Sequence, residues 1–209
     1  MNMLMEGEFM GKRVYISADY SLNGDRDVVS VLHSWGNDSL HKVDYVDTAQ
    51  VASGSVSKDS DCRACDLKEE FNSQINASSA VIFVIGDKTA SRDAGSFCKR
   101  ISEGENCSCT PYKQNSSGAS FCKRNGFLIE SEFDVGYINE FSYLRHEFEQ
   151  SKKRDKKIIV IYNSFYKQYT WLPYYMKDYA NIAMPFWIKT PSGKKIGNYC
   201  FIKEALDYE

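Results

Sequence analysis

Apolar and polar positions divide the chain into short apolar runs that alternate with longer amphipathic stretches. KRVYIS (12–17) is a brief run of β-branched and aromatic residues followed by the polar segment ADYSLNGDRD, and it predicts a first strand. Asn23-Gly24-Asp25 then offers a turn and a helix N-cap. Val28, Val31, Leu32 and Trp35 follow at helical spacing, which predicts an amphipathic helix over 25–36. VDYVD (43–47) is a second, weaker strand, and TAQVASGSVSKDSDC, without a clear period, reads as a surface loop. Leu67, Phe71 and Ile75 lie at i, i+4, i+8 and predict a helix over about 64–77. AVIFVIG (80–86) is almost continuously apolar, as expected of a strand covered on both faces in a parallel sheet.

The pattern breaks from Thr89 to about Gly136. SFCKR occurs there twice, at 96–100 and 120–124, too short a unit for a solenoid. An inserted lobe is the economical reading, and a functional loop is the other. Periodicity returns at Ile138, Phe141, Leu144 and Phe148, with Glu140, Tyr143 and Glu147 on the adjoining face. KIIVIY (157–162) is another buried strand. An aromatic tail, YTWLPYYMKDY, precedes an edge strand at PFWIK (185–189) and a short helix at about 201–207. The alternation of strand and helix indicates an α/β fold, a mainly parallel sheet with helices on both faces and a cysteine-containing insertion.

Length then bounds the organisation: 209 residues suit a leader (1–10) and one domain (11–209) with an insertion at about 89–136. The 26 basic and 28 acidic residues nearly cancel, so no wholesale attraction to nucleic acid or to a membrane surface is expected. KKRDKK (152–157) and GKK (193–195) read as solvated turns. No stretch reaches the roughly 18 apolar residues of a membrane span, and MNMLMEGEFM lacks the pattern of a secretory signal. A cytoplasmic protein with reduced thiols is therefore expected. Six of the seven cysteines, Cys62, Cys65, Cys98, Cys107, Cys109 and Cys122, fall between 62 and 122, with Cys200 apart. CRAC is a C-x2-C knuckle that a structural zinc ion accepts. The remaining spacings supply no second such pair, so unligated thiols, a zinc site and disulfides all stay open.

Parallel sheets bind ligands beyond the carboxyl ends of their strands, near a topological switch point. That rule selects Asp19 and Tyr20 after the first strand, Asp47 after the second, Asp87, Lys88 and Thr89 after AVIFVIG, and Asn163 after KIIVIY. Plainer roles exist for each: Asp19 and Asp47 as caps, Asp87 and Thr89 as turn residues, and Asn163 bonded to its own backbone. Glu147 has one too, as a helix residue paired with a cation one turn away. Dinucleotide and phosphate-loop signatures (G-x-G-x-x-G, G-x-x-x-x-G-K-S/T) are absent, as is G-x-S-x-G, and His33, His41 and His146 lack metal-ligand spacing.

Three segments, KRVYISADY, SSAVIFVIGDKT and YLRHEFEQSKKRDKKIIVIYN, resemble bacterial Toll/interleukin-1 receptor (TIR)-like domains, in particular those of Thoeris antiphage systems. In that family a helix carries W-x-R-(Y/H)-E before a KIIxI..N strand; here Tyr143 stands in place of the tryptophan. The resemblance covers about 12–20, 78–90 and 138–166. It implies a flavodoxin-like fold and cleavage of the nicotinamide–ribose bond of NAD⁺, which is substrate rather than cofactor. The cyclic or modified ADP-ribose product would activate a downstream effector, with a phage-derived trigger and homo-oligomers as further possible partners. By motif, Glu147 matches the catalytic glutamate, Asn163 the polar residue ending the next strand, and Asp19 and Tyr20 the loop facing the nucleotide. Asp87 joins them as a substrate-binding candidate from its strand-end position. The competing expectations are a non-enzymatic TIR scaffold that signals by homotypic assembly and, more remotely, a phosphoacceptor receiver domain.

Overall fold

Three apolar runs, 12–17, 80–85 and 157–162, lie side by side in one direction and form the centre of a sheet. The computed structural model describes residues 11–19, 25–38, 41–54, 63–92 and 142–208. Its strands are β1 (Lys12–Ser17), β2 (Val43–Asp47), β3 (Ala80–Ile85), β4 (Lys157–Tyr162) and β5 (Met184–Pro185). All pair in parallel in the order β2-β1-β3-β4-β5, a flavodoxin-like arrangement in which the chain reverses its direction of travel across the sheet between β1 and β3.

Every residue of β3 is buried, as the unbroken apolar run requires. Its side chains alternate between two cores. Ile82 and Val84 join Val14 and Ile16 beneath α1 (Asp25–Gly36) and α5 (Tyr199–Ala205). Val81, Phe83 and Ile85 join Tyr15 and Tyr162 beneath α2 (Thr48–Gly54), α3 (Arg63–Ala77) and α4 (Tyr143–Lys153).

The predicted helix at 25–36 and the strands at 12–17, 43–47 and 157–162 form as the periodicity indicates. Four expectations are corrected. The loop expected from residue 48 begins as a helix, α2, because Asp47 Oδ1 accepts the Ala49 and Gln50 backbone N–H groups, each at 2.9 Å, and so caps it. The edge strand expected at 185–189 is divided. Pro185 has no N–H with which to continue a ladder, and Trp187–Lys189 (β6) instead pairs antiparallel with Lys195–Gly197 (β7). GKK enters that hairpin, where Lys195 Nζ stands 3.8 Å from the centre of the Trp187 ring. Nor is KKRDKK merely solvated, since Lys156 Nζ donates to the carbonyls of Asn76 and Ser78 at 2.8 and 2.7 Å and clamps the end of α3.

The leader 1–10 and the inserted lobe beyond Arg92 lie outside the described residues, as do Tyr20, Cys62, Cys98, Cys107, Cys109 and Cys122. Among the described residues no helix is long and apolar enough to cross a membrane.

Phe148 ties α4 to the sheet and to the tail. It is 1% exposed, with its ring 5.6 Å from Phe83 and Tyr175 and 5.5 Å from Tyr179, centre to centre. Phe148→Ala is expected to cost about 3–5 kcal/mol in urea unfolding monitored by circular dichroism. A loss below about 1 kcal/mol would contradict this packing.

Candidate functional site

Helix α4 starts at Ser142, whose Oγ accepts the Arg145 backbone N–H at 3.1 Å. Two polar contacts one helical turn apart lock it against α3: His146 Nε2 to Asn72 Oδ1, and Gln150 Nε2 to Asn76 Oδ1, both at 2.9 Å. With the rotation of α4 so fixed, Glu147 turns toward the sheet. Tyr15 and Ser17, two apart on β1, present their hydroxyls to that same side. Tyr15 Oη donates to Glu147 Oε1 at 2.7 Å, and Ser17 Oγ donates to Oε2. The Thr48 hydroxyl, with one proton to give, lies 3.2 Å from Oε1 and 3.2 Å from the Ile16 carbonyl. Glu147 is 1% exposed. Burial pushes its carboxyl up from 4.5 to about 7, while the hydroxyls of Ser17, Tyr15 and Thr48 pull in the opposite direction.

A second carboxyl sits on the other face. Ile85 and Tyr162 point toward α3 and α4, so the next residues, Gly86 and Asn163, turn toward α1. Asn163 Nδ2 donates to Asp25 Oδ1 at 2.9 Å, and Trp187 Nε1 donates to Asn163 Oδ1 at 2.7 Å. An indole N–H can only donate, which fixes the orientation of the amide. Asp25, the first residue of α1, is 6% exposed. Its carboxylate rests on Gly86: a Cβ there would stand 2.8 and 3.0 Å from the two oxygens and would push the Asp25 side chain aside. Burial pushes Asp25 up from 3.8 to about 7; the Asn163 hydrogen bond opposes this, and the charges of Asp19 and Asp87 reinforce it.

Asn163, Asp19 and Asp87 therefore gather around Asp25 at the carboxyl ends of β1, β3 and β4, whereas Glu147 lies beneath the sheet among hydroxyls. Asp19 is engaged by the Arg92 guanidinium, whose Nη2 donates to Oδ1 at 2.9 Å and whose Nε donates to the other oxygen. Asp87 is exposed, and Thr89 Oγ1 accepts the Gly86 N–H at 2.8 Å to close the turn. Asp47 caps α2 and meets His33 Nε2 at 2.7 Å. Sequence reasoning did not single out Asp25, Tyr15, Ser17, Thr48 or Trp187 as site residues. The i, i+2 hydroxyls of KRVYIS were the available signal for two of them.

An open depression of about 300 Å³, lined by Arg13, Asp44, Val46, Gln50 and Gln74 among others, lies away from both carboxyls. Its guanidinium is already bound to Asp44 and Gln74, at 2.9 and 2.7 Å. Among the described residues no group of three or more His, Cys, Asp or Glu is arranged to hold a metal ion. No family model, curated protein or solved structure matches the chain.

Two carboxyls raised to about 7 make stability depend on pH in a defined direction. Between about 4 and about 7 the folded chain keeps protons that the unfolded chain releases. Stability from both groups is thus fully present below that window and is lost as pH rises through about 7. One pKa unit is about 1.4 kcal/mol, so the Glu147 shift from 4.5 to about 7 is worth on the order of 3 kcal/mol. Glu147→Gln should flatten the fall in unfolding free energy between pH 5 and pH 8. Equal slopes for variant and wild type would show that Glu147 does not titrate in this range.

Proposed function

We propose that the chain is a TIR-like NAD⁺-cleaving enzyme of bacterial antiphage defence. In this reading it releases nicotinamide and makes a cyclic or modified ADP-ribose signal, with Glu147 as the catalytic carboxylate. The observation that carries the reading is the position of Glu147. It stands on the helix preceding β4 of a parallel β2-β1-β3-β4-β5 sheet, oriented by three hydroxyls, one of them at the carboxyl end of β1. The motif resemblance assigns the catalytic role to this same residue.

The chemistry suits a single carboxylate. Nicotinamide leaves from a cationic ring and needs no proton. Its departure leaves an oxocarbenium-like ribose, which a fixed anion stabilises. Above pH about 7 Glu147 is that anion, and its dry surroundings disfavour hydrolysis relative to attack by a nucleophile within the substrate. Asn163, Asp19 and Asp87 stand near Asp25 at the strand ends, where the nucleotide would lie in this reading.

One observation favours a second reading, a non-enzymatic TIR scaffold. At 1% exposure and with hydroxyls on both oxygens, Glu147 also has the environment of a structural group. Assaying nicotinamide release from NAD⁺ by protein purified from phage-infected and uninfected cells separates the two. The enzymatic reading expects release by wild type, a rate rising through pH 7, and a loss of about 100-fold or more in Glu147→Gln. Absence of release by protein from infected cells rejects it in favour of the scaffold.

A further inference from the structure

An ionised carboxylate offers about four lone-pair sites, and when buried it requires donors for them. The two buried carboxyls differ in this respect. Glu147 meets three hydroxyls. Asp25, 6% exposed, receives a single hydrogen bond among the described residues, from Asn163 to Oδ1, and none on Oδ2. The surroundings nonetheless hold it in place. Trp187 fixes the Asn163 amide, Asn163 fixes Oδ1, and Gly86 leaves space for both oxygens where a Cβ would collide. A buried acceptor held this firmly and supplied with one donor is built to receive others.

Its position specifies where they come from. Asp25 opens α1 beyond the ends of β1 and β3, the point where the strand order reverses and where parallel sheets of this kind take their ligands. The local charge limits what can enter. Asp19 is paired with Arg92, and Asp19 and Asp87 still act on Asp25 as negative neighbours, which disfavours a phosphate there. No metal-ligating group of three accompanies Asp25 among the described residues. A vicinal diol satisfies both conditions, since it is uncharged and brings two O–H donors spaced to meet the two oxygens of one carboxylate.

We propose that Asp25 binds the 2′ and 3′ hydroxyls of a ribose at the strand ends, with Asn163 and Trp187 as its positioning residues. The choice of a ribose rests on the NAD⁺ reading above. Asn163 holds Asp25 Oδ1 with one N–H of its amide, whose orientation Trp187 fixes.

The test is calorimetric titration of the full chain with ADP-ribose, which cannot release nicotinamide. Wild type is expected to bind. Asp25→Asn is expected to weaken binding tenfold or more with the melting temperature preserved. Trp187→Phe, which removes the indole N–H and keeps a smaller aromatic ring, should weaken it severalfold; it keeps the test available if the first variant does not fold. No binding by wild type at millimolar ADP-ribose, or undiminished affinity in the folded variants, overturns the proposal. A parallel assay of nicotinamide release separates this site from the enzymatic reading. Asp25-dependent binding without release leaves the ribose site and removes the enzyme. Release with an unchanged KM in Asp25→Asn does the reverse.

Discussion

The structure depends on one constraint: a parallel sheet whose central strands are buried on both faces. β3 carries six apolar residues and buries all of them. An unpaired polar group on either face is costly, because desolvating one without a partner costs several kcal/mol, and the described residues leave few there, the Tyr45 and Tyr162 hydroxyls among them. A charged or amide side chain is then best placed at a strand end or in the helix layer with partners supplied. Both solutions appear here. Asn163, Asp19 and Asp87 take the first, and Glu147 takes the second. The partners of Glu147 explain details that otherwise look unrelated: hydroxyls at alternate positions of β1, a short helix that delivers Thr48, and the paired contacts Asn72–His146 and Asn76–Gln150 that set the rotation of α4.

The same sheet separates two carboxyls of similar proton affinity into unlike environments. Burial dominates both shifts. Beneath the sheet, hydroxyl donors partly compensate Glu147. At the strand ends, Asp25 has one amide donor and two neighbouring acids that work against its ionisation. Similar upward shifts therefore conceal different chemistry. Glu147 is held by its surroundings, whereas Asp25 is supported from behind and left short of donors in front.

Sequence reasoning recovered what local pattern encodes. The continuous run AVIFVI indicated a strand covered on both faces, and Val28, Val31, Leu32 and Trp35, after the turn at Asn23-Gly24-Asp25, indicated the helix that forms as α1. It missed α2 because TAQVASG has too few apolar positions to display a period: only Thr48 and Val51 are buried, and the cap at Asp47 starts the helix. It misread the aromatic run at 185–189 as one strand because the break at Pro185 depends on which neighbour the chain meets next. The site was legible one residue at a time and not as groups. Glu147 and Asn163 were chosen, yet the partner of Asn163 lies 138 positions away at Asp25, and that of Glu147 lies 130 away at Ser17. Asp25 looked like a helix-starting acid, which it is. Nothing local distinguishes such an acid from one buried against a glycine.

Whether Glu147 acts on a ligand reduces to a question of exchange at its Oε2. Exposing this carboxylate to water would break the hydrogen bond from Ser17 and open an apolar core around it, an expensive change for the fold. Replacing the Ser17 hydroxyl by a ribose hydroxyl is a different event. One O–H donor takes the place of another, so the count of hydrogen bonds to the carboxylate is conserved and the surroundings stay dry. Ser17 is the last residue of β1, so the donor that would yield is the one closest to the carboxyl ends of the strands. Complete burial in the unliganded chain is thus compatible with catalysis when the ligand itself carries the replacing hydroxyl.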